Sequence, residues 1–335
     1  MKHLFPLTLA AMVAAGAAAA QTAIKFSNDW KWEGPSAPLL LALDRGYFEA
    51  EGLDVTMDTG QGSREAIPRV ASGTYQIGAA DINSLIKFRD QNPDLPVTAV
   101  YMIYNTPPFA IVGRKSLGVS SPKDLEGKTL GAPAPDGAYA QWAAFTKANG
   151  IDASKVTIEN VGFPVREPML AQGQVDAITG FSFSSFINLK ANGVPEDDIS
   201  VILMAENGLD LYGNVIIVNP TFAEENPEAV AGFVRALVKG TQDAVADPVA
   251  AVKYVLAAND VAREAVELER LKMAIADNIV TDEVRANGFG AVNMARLAKS
   301  ITQIADTYEF QNPAPAPEAI FDGSYLPPAA ERAVP

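Results

Sequence analysis

KFSNDWKWEGPSAPLLLALDRGYFEAEGLDVTMDTGQGSREAIPRVASGTYQIGAAD, residues 25–81, alternates short apolar runs with stretches of helical periodicity. This stretch predicts, in order, a strand, an aromatic loop, a helix, a second strand, a glycine-rich loop, a second helix and a third strand. Strands that alternate with helices of this length form parallel βαβ units. Because the ends of such strands surround the ligand crevice of an open α/β sheet, we expect the functional residues in the loops after them.

A second series of the same kind begins at SPKDLEGKTLGAP, residues 121–133. The predicted strands of the two series are Ala23–Ser27, Leu53–Thr59, Gln76–Ala80, Val97–Tyr104, Phe109–Arg114, Thr129–Ala132, Val156–Asn160, Ala177–Thr179 and Asn214–Val218. The predicted helices are Pro38–Glu51, Arg64–Ser72, Ile82–Arg89, Ala138–Asn149 and Glu167–Gln172. We interpret Asn214–Val218 as the strand that closes the second series.

After residue 218 the sequence becomes helical. Asn226-Pro227 and Asp247-Pro248 predict helix starts, because a capping side chain followed by proline suits the first helical turn. An apolar stripe at helical spacing follows, formed by Ala229, Val230, Phe233, Val234, Leu237 and Val238. We expect this C-terminal helical block to pack on the first series of strands.

The chain of 335 residues is long enough for two lobes. We predict an α/β fold with two open mixed sheets flanked by helices. The first lobe would comprise residues 21–107 and 220–335, and the second would comprise residues 108–219. Two chain crossings, near Thr106–Phe109 and near Pro220, would form a hinge.

The first twenty residues predict an export signal. Lys2 and His3 precede an apolar run from Leu4 to Val13, and small residues precede a cleavage site after Ala20. Because the chain has no cysteine, it can form no disulfide and offers no thiol for lipid attachment. We therefore expect a free protein in the periplasm.

The acidic composition argues against two classes of partner. The formal net charge is −14, so the surface repels phosphate backbones and anionic lipids. We expect neither a nucleic-acid partner nor a membrane-surface role. A single buried arginine can still hold an anion, because local contacts act over shorter distances than the screened net charge.

Candidate ligand contacts follow the strands of the first series. Trp30 and Trp32 would sandwich a planar ring or contact an alkyl chain; alternatively, they cover the core. Ser63 and Arg64 follow a glycine loop and would contact a ligand; alternatively, Ser63 only caps a helix and Arg64 is solvated. Asp81 would accept hydrogen bonds from ligand N–H groups or, equally, cap the next helix.

The second series offers further candidates. The loop after one of its strands contains Gly137, Ala138 and Tyr139, whose backbone N–H groups and phenol would face the cleft; the alternative is an ordinary cap by Asp136. Another loop contains Phe163 and Arg166, and Arg166 is suited to pair a carboxylate or sulfonate through two parallel hydrogen bonds. An ion pair of Arg166 with Glu167 is the alternative. The remaining candidates, which alternatively belong to the core, are Phe181, Tyr212 and Asn214.

Catalytic signatures are scarce in this sequence. The sole histidine, His3, lies within the predicted signal, so we expect no histidine-based acid–base chemistry or metal ligation in the mature chain. Neither a phosphate-binding P-loop nor a dinucleotide-binding glycine motif is present. We predict no catalytic residue, no metal and no cofactor.

Several segments together resemble the solute-binding proteins of ABC importers for alkanesulfonates, nitrate and thiamine-pyrimidine precursors. They are LALDRGYFEAEGLDV (41–55), SGTYQIGAAD (72–81), SPKDLEGKTLGAP (121–133), DGAYAQW (136–142), AQGQVDAITGF (171–181), LYGNVIIVNPTFAEENPEAVAGFVRA (211–236) and FDGSYLPP (321–328). No single segment is specific, but their order and spacing are, and they extend over almost the whole mature chain.

The resemblance implies a bilobal type II periplasmic-binding fold that closes on one small molecule and delivers it to a membrane permease. It implies a monomer. The aromatic candidates favour a planar heterocycle, such as a thiamine-pyrimidine precursor, or an aromatic acid, while Arg64 and Arg166 leave carboxylate and sulfonate ligands open. Enzymes that make the thiamine pyrimidine consume an active-site histidine and use a cysteine-rich motif, which this mature chain lacks. The alternatives are a periplasmic sensor subunit and an exported enzyme with the same fold.

Overall fold

The structure is a computed structural model that describes residues 21–335. The predicted export signal lies outside the described residues. The strands are β1 (Thr22–Ser27), β2 (Leu53–Asp58), β3 (Ile77–Asp81), β4 (Thr98–Met102), β5 (Phe109–Arg114), β6 (Thr129–Gly131), β7 (Thr157–Glu159), β8 (Ala177–Phe181), β9 (Ile199–Leu203) and β10 (Asn214–Val218).

The helices flank these strands in both halves of the chain. Those before residue 214 are α1 (Ala37–Asp44), α2 (Tyr47–Ala50), α3 (Ser63–Ala71), α4 (Ile82–Gln91), α5 (Trp142–Asn149), α6 (Phe163–Ala171) and α7 (Ser182–Ala191). Those after it are α8 (Pro220–Glu225), α9 (Pro227–Ala246), α10 (Pro248–Ala258), α11 (Glu264–Ala274), α12 (Asp282–Asn287), α13 (Met294–Tyr308) and α14 (Pro317–Ile320).

Two five-stranded mixed sheets form the centres of two lobes. The first sheet has the order β2-β1-β3-β10-β4, and the second has the order β7-β6-β8-β5-β9. Each sheet consists of parallel βαβ units interrupted by one antiparallel strand, β10 in the first and β5 in the second. The predicted α/β class with two mixed, helix-flanked sheets is confirmed.

The return crossing between the lobes lies earlier than predicted. The chain passes from β4 to β5, and it comes back from β9 to β10, so β10 belongs to the first sheet between β3 and β4. Our assignment of Asn214–Val218 to the second lobe, with a crossing near Pro220, is therefore wrong. Every residue of this strand is buried, and an apolar run of this kind does not reveal which of two sheets it enters.

Some predicted helices have different bounds. The predicted helix Pro38–Glu51 is two helices, because Gly46 adopts a left-handed conformation with φ 70° and ends the first. The helix predicted at Glu167 already begins at Phe163, where a proline occupies the first turn. Neither α7 nor β9 was predicted.

The C-terminal helical block packs on the first sheet. Helices α9 and α10 begin at Pro227 and Pro248, as predicted, and the Asp247 side chain accepts a hydrogen bond from the Ala250 backbone N–H. The ring of Phe233 on α9 lies 5.7 Å from Phe26 and 4.8 Å from Phe48 between ring centroids. The predicted apolar stripe is thus the face that joins this block to the first lobe.

Candidate functional site

A cavity lies between the two lobes, where loops that follow the strands of both sheets meet. Its open volume is about 990 Å³, a figure that includes solvent at the mouth. Residues that line it from the first lobe include Asn28, Asp29, Trp30, Glu33, Ser63, Tyr104 and Asn214. Residues that line it from the second lobe include Asp136, Gly137, Phe163, Arg166, Phe181, Phe183 and Ser184.

Aromatic side chains from both lobes form the apolar walls. Trp30, directly after β1, meets Phe163 at the start of α6 edge to face, with ring centroids 4.4 Å apart and planes at 73°. Tyr104, after β4, lies 6.2 Å from Phe181 and 5.8 Å from Phe183 between centroids. These rings contact one another and give the cavity apolar walls, which suit a planar ligand.

The polar floor of the first lobe centres on Asp29. Its Oδ2 accepts hydrogen bonds from Ser63 Oγ at 2.8 Å and from Asn214 Nδ2 at 2.6 Å. Burial raises the pKa of Asp29 to about 6, and the charge of Asp136 adds to this rise, although the two hydrogen bonds oppose it. Asn214 is 2% exposed, and its Oδ1 has no partner among the described residues.

Asp136 is the corresponding carboxylate of the second lobe. It accepts hydrogen bonds from the Ala138 backbone N–H at 3.1 Å and from Thr179 Oγ1 at 2.9 Å, and its Oδ2 lies 3.6 Å from Arg166 Nη1. Burial raises the pKa of Asp136, while Arg166 acts in the opposite direction. The predicted cap by Asp136 is present, but the same residue also lines the cavity.

Arg166 lines the cavity but is already paired. Its Nη2 and Nε donate to Glu167 Oε1 at 2.6 and 3.1 Å, and both side chains are buried. Burial alone would lower the pKa of Arg166, but Glu167 and Asp136 outweigh it and raise the pKa. The ion pair that we considered as the alternative is therefore present, and it satisfies much of the positive charge.

A buried ionic network, formed by Glu33, Glu267 and Arg270, joins the lobes beside the cavity. Arg270 Nη1 donates to both carboxylate oxygens of Glu267 at 2.5 Å, and its Nε lies 3.6 Å from Glu33. The contacts across the cleft run from Ser184 Oγ to Glu33 at 2.7 Å and from Arg270 Nη2 to Asn188 Oδ1 at 2.8 Å. Residues of α7 in the second lobe are thus held by charged groups of the first.

Seven of the thirteen predicted ligand contacts line the cavity. They are Trp30, Ser63, Gly137, Phe163, Arg166, Phe181 and Asn214. The other six, which lie outside its lining, are Trp32, Arg64, Asp81, Ala138, Tyr139 and Tyr212. Whether any of the thirteen contacts a ligand stays a prediction.

Two of the six residues outside the lining lie near the first-lobe loops. Trp32 packs against an apolar cluster that contains Leu40 and Leu41, because its side chain turns toward the helices. Arg64 is exposed and donates to the Ala134 carbonyl of the other lobe at 2.8 Å. Neither side chain lines the cavity in this structure, and their contact with a ligand stays a prediction.

Asp81 is the cap of α4. It accepts hydrogen bonds from the backbone N–H groups of Asn83 and Ser84 and from Gln141 Nε2 of the second lobe at 3.0 Å. Burial raises the pKa of Asp81 to about 6, despite these hydrogen bonds. Its oxygens are therefore satisfied by protein donors, which is the alternative that we left open.

Three further predicted residues belong to the core or its edge. Ala138 is fully buried, and Tyr139 packs at the edge of the same cluster. Tyr212 donates through its OH to Glu283 at 2.5 Å, and Arg296 lies over its ring. These contacts turn the three side chains away from the cavity.

Sequence reasoning missed several lining residues, among them Asp29, Glu33, Tyr104 and Phe183. Asp29 directly precedes Trp30, so its place in the loop after β1 was a usable signal. Tyr104 was predicted as part of a strand, whereas β4 ends at Met102 and the side chain turns into the cleft. Nothing in the local pattern marked Phe183, because α7 itself was not predicted.

Residues 21–335 show neither a metal-binding cluster nor a membrane-spanning helix. Within that range, no group of three or more His, Cys, Asp or Glu side chains is placed to hold a metal ion. None of the described helices combines the length and apolarity that a membrane span requires.

The chain matches a known sequence family. Residues 34–251 match the family described as NMT1/THI5 like, and this match covers more than half of the chain. The riboflavin-binding protein RibY of Chloroflexus aurantiacus is 29% identical over 215 residues, which cover 63% of this chain and 59% of that protein. The present chain thus spans less than two thirds of that relative's length.

Two further relatives have names of different kinds. The formylaminopyrimidine-binding protein of Halalkalibacterium halodurans is 29% identical over 238 residues, which cover 69% of each protein. The 4-amino-5-hydroxymethyl-2-methylpyrimidine phosphate synthase of Aspergillus parasiticus is 27% identical over 237 residues, which cover 68% of each protein. Binding proteins and an enzyme are therefore both among the similar sequences.

Solved structures agree with the fold. The periplasmic aliphatic sulphonate-binding protein SsuA of Escherichia coli superposes with a TM-score of 0.68 at 13% identity, covering 86% of this chain and 87% of that one. The periplasmic nitrate-binding protein NrtA of Synechocystis PCC 6803 gives a TM-score of 0.69 at 11% identity, covering 91% and 87%. The resemblance inferred from the sequence and the bilobal periplasmic-binding fold are confirmed.

Proposed function

Since this chain belongs to the NMT1/THI5-like family, we propose that it is the periplasmic solute-binding component of an ABC importer. It captures one planar heterocycle between its lobes and delivers it to a permease in the inner membrane. The observation that carries this proposal is the cavity between the sheets, which residues of both lobes line.

The aromatic walls support a planar ligand. Trp30 and Phe163 come from opposite lobes and touch at one side of the cavity, while Tyr104 and Phe181 form another side. The names of two relatives, which refer to riboflavin and to a formylaminopyrimidine, both describe planar nitrogen heterocycles. A thiamine-pyrimidine precursor has the same shape and remains the leading candidate.

Binding would act by shifting a hinge equilibrium. A ligand that touches both lobes gains contacts only in the closed form, and each tenfold shift requires about 1.4 kcal/mol of differential affinity. The chain segments between β4 and β5 and between β9 and β10 are the two connections that such a hinge would use. The closed form of a monomer would then dock on the permease.

The synthase relative makes catalysis the second candidate function. Of the residues that line the cavity, none is histidine or cysteine, and its carboxylates are held by hydrogen bonds to neighbouring side chains. We therefore propose binding without chemical conversion. Mass spectrometry of the heterocycle after prolonged incubation with the protein tests this point, and recovery of a converted product would favour the enzyme.

A calorimetric titration with riboflavin, a formylaminopyrimidine and an aliphatic sulfonate tests the proposed function. We expect a heterocycle to bind and the sulfonate to give no heat. Trp30→Ala should weaken binding at least about tenfold, since aromatic pairs and the area they bury contribute more than 1 kcal/mol. Trp32→Ala is the matched control, because Trp32 packs on the helices and its loss should reduce stability but not affinity. No binding of any planar compound, or equal affinities for the two variants, would contradict the proposal.

A further inference from the structure

We propose that the cavity selects a cationic ring whose polar edge donates hydrogen bonds, and that this edge bridges Asp29 of the first lobe and Asp136 of the second. The chemical class is an amidine or a protonated amino-substituted nitrogen heterocycle. This inference rests on the proposed solute-binding function, and it adds the charge and hydrogen-bonding character of the ligand.

One residue that lines the cavity, Asn214, has an unused hydrogen-bond acceptor. Asn214 Nδ2 donates a hydrogen bond to Asp29 Oδ2 at 2.6 Å, which leaves the side-chain carbonyl oxygen, Oδ1, to accept one from a ligand. That oxygen is buried and has no partner among the described residues. A buried acceptor without a partner destabilises a protein, and a ligand N–H donor would remove this penalty. A ligand edge made only of acceptors would leave it in place.

The charges around the cavity favour a cation. Asp29, Glu33 and Asp136 line it together with a single arginine, Arg166. The arginine is held by Glu167 at 2.6 Å and lies 3.6 Å from Asp136, so it has little positive charge to offer an anion. An incoming carboxylate or sulfonate would therefore meet a surplus of negative charge.

Glu33 is less available than the two aspartates. Lys31 Nζ lies 3.1 Å from Glu33, and Arg270 Nε lies 3.6 Å from it on the other side. Glu33 thus has its own cations, whereas the side chains of the described residues that donate to Asp29, Ser63 and Asn214, are neutral. The groups that face the Asp29–Asp136 pair are Glu33, Lys31, Asp81, Tyr104, Arg166 and Glu167.

The two carboxylates approach each other only when the lobes meet. A Cβ placed on Gly137, next to Asp136, would lie 3.3 Å from Ser63 Oγ, and Ser63 in turn donates to Asp29. The loop of the second lobe therefore packs directly on the hydrogen-bond partner of Asp29. The repulsion between two carboxylates brought together in this way disfavours the closed form. A cation bound between them attracts both, and it can contact both only when the lobes are closed, so it stabilises the closed form.

Three probes of one shape test this proposal. Benzamidine, benzamide and benzoate share a planar ring and differ in charge and in donors, so their affinities measured by titration calorimetry isolate the polar edge. We expect the order benzamidine, benzamide, benzoate, with benzamidine at least about tenfold tighter than benzoate, because hydrogen bonds to charged groups contribute about 1.5–3 kcal/mol. The difference in affinity between benzamidine and benzoate should shrink below about pH 6, where Asp29 takes up a proton.

Variants assign the effect to the carboxylates. Asp136→Asn and Asp29→Asn should each reduce the affinity for benzamidine about tenfold and leave that for benzoate unchanged or higher. The control is Asp54→Asn, which removes the same charge from an exposed position on β2. A variant that fails to fold is replaced by Asp29→Glu or Asp136→Glu, which keeps the charge and should retain the preference for benzamidine.

The outcomes separate this inference from the proposed function. If riboflavin or a formylaminopyrimidine binds but benzoate binds as well as benzamidine, the cation bridge is wrong while solute binding stands. If benzamidine does not bind at all to a protein that binds riboflavin, the cation bridge is again overturned. If no planar compound binds, both proposals fall.

Discussion

Arg270→Met removes the buried cation that contacts both Glu267 and Glu33 in the first lobe. Arg270 is 2% exposed, and its guanidinium holds Glu267 at 2.5 Å and lies 3.6 Å from Glu33. Methionine keeps most of the volume, so the main loss is electrostatic. Removal of one partner of a buried ion pair destabilises a protein by about 3–5 kcal/mol, because the remaining charge stays buried without compensation.

Thermal and urea unfolding measure this loss. For a chain of this size, about 3–5 kcal/mol corresponds to a fall of roughly 5–8 °C in the midpoint. The matched control is Arg263→Met at the exposed start of α11, which should change the midpoint by less than about 2 °C, since isolated surface charges contribute about 0–1 kcal/mol. Arg270→Met should also bind ligand more weakly than the wild type, because Arg270 donates a hydrogen bond to Asn188 across the cleft.

The pH dependence gives a second check on the same variant. Burial alone would raise the pKa of Glu33, but Arg270 and Lys31 hold it below its usual value. A lowered carboxyl pKa stabilises the fold above the unfolded pKa and ceases to do so as the pH falls through the folded pKa. Arg270→Met should therefore lose most stability at neutral pH, and the gap to the wild type should narrow in acid. Equal midpoints for Arg270→Met and Arg263→Met, or a gap that widens in acid, would refute this reasoning.

Three other perturbations follow from the structure. Gly62→Ala should weaken ligand binding at least about tenfold, since the added Cβ would lie 2.3 Å from the Pro135 carbonyl oxygen of the other lobe. The control is Gly52→Ala, which is also at positive φ but whose Cβ would have no atom within 4 Å, and it should leave the calorimetric affinity unchanged. Asp29→Asn should stabilise the ligand-free protein above about pH 6, because burial raises the folded pKa of Asp29 from 3.8 to about 6 and the ionised carboxylate is then disfavoured in the fold. The wild type gains stability as the pH falls through 6, so the thermal midpoints of the two proteins should converge in acid. A difference that stays constant with pH would contradict this. Arg166→Met should lower stability by about 3 kcal/mol in urea unfolding, because a buried acid loses its cation, and an unchanged midpoint would show that the ion pair is dispensable.

The sequence predicted the fold well because each sheet is built from local units. Apolar periodicity located nine of the ten described strands in or near their places, all but β9, and proline after a capping residue located the starts of α9 and α10. One of the nine, β10, was recognised as a strand but placed in the wrong sheet. Its pairing with β3 and β4 depends on contacts with residues far away in the chain, and no local pattern encodes them.

The site was less predictable because the side chain of a loop residue can point either into the cavity or toward the core. Trp30 and Trp32 are two positions apart after the same strand, yet one lines the cavity and the other packs on helices. Arg166 had the chemistry of an anion ligand, but the adjacent Glu167 pairs with it. Asp29 had no motif of its own, and only the fold places it near Asn214, 185 positions away.

The most direct measurement is an anomalous difference map from crystals grown with 4-amino-5-bromopyrimidine. This compound is planar, donates hydrogen bonds through its amino group and marks its position with bromine. The account predicts one strong bromine peak in the cavity, with the ring between Trp30 and Tyr104 and the amino group directed at Asp29 and Asp136. A map whose peaks all lie outside the cavity, or that shows none in crystals saturated with the compound, would contradict it.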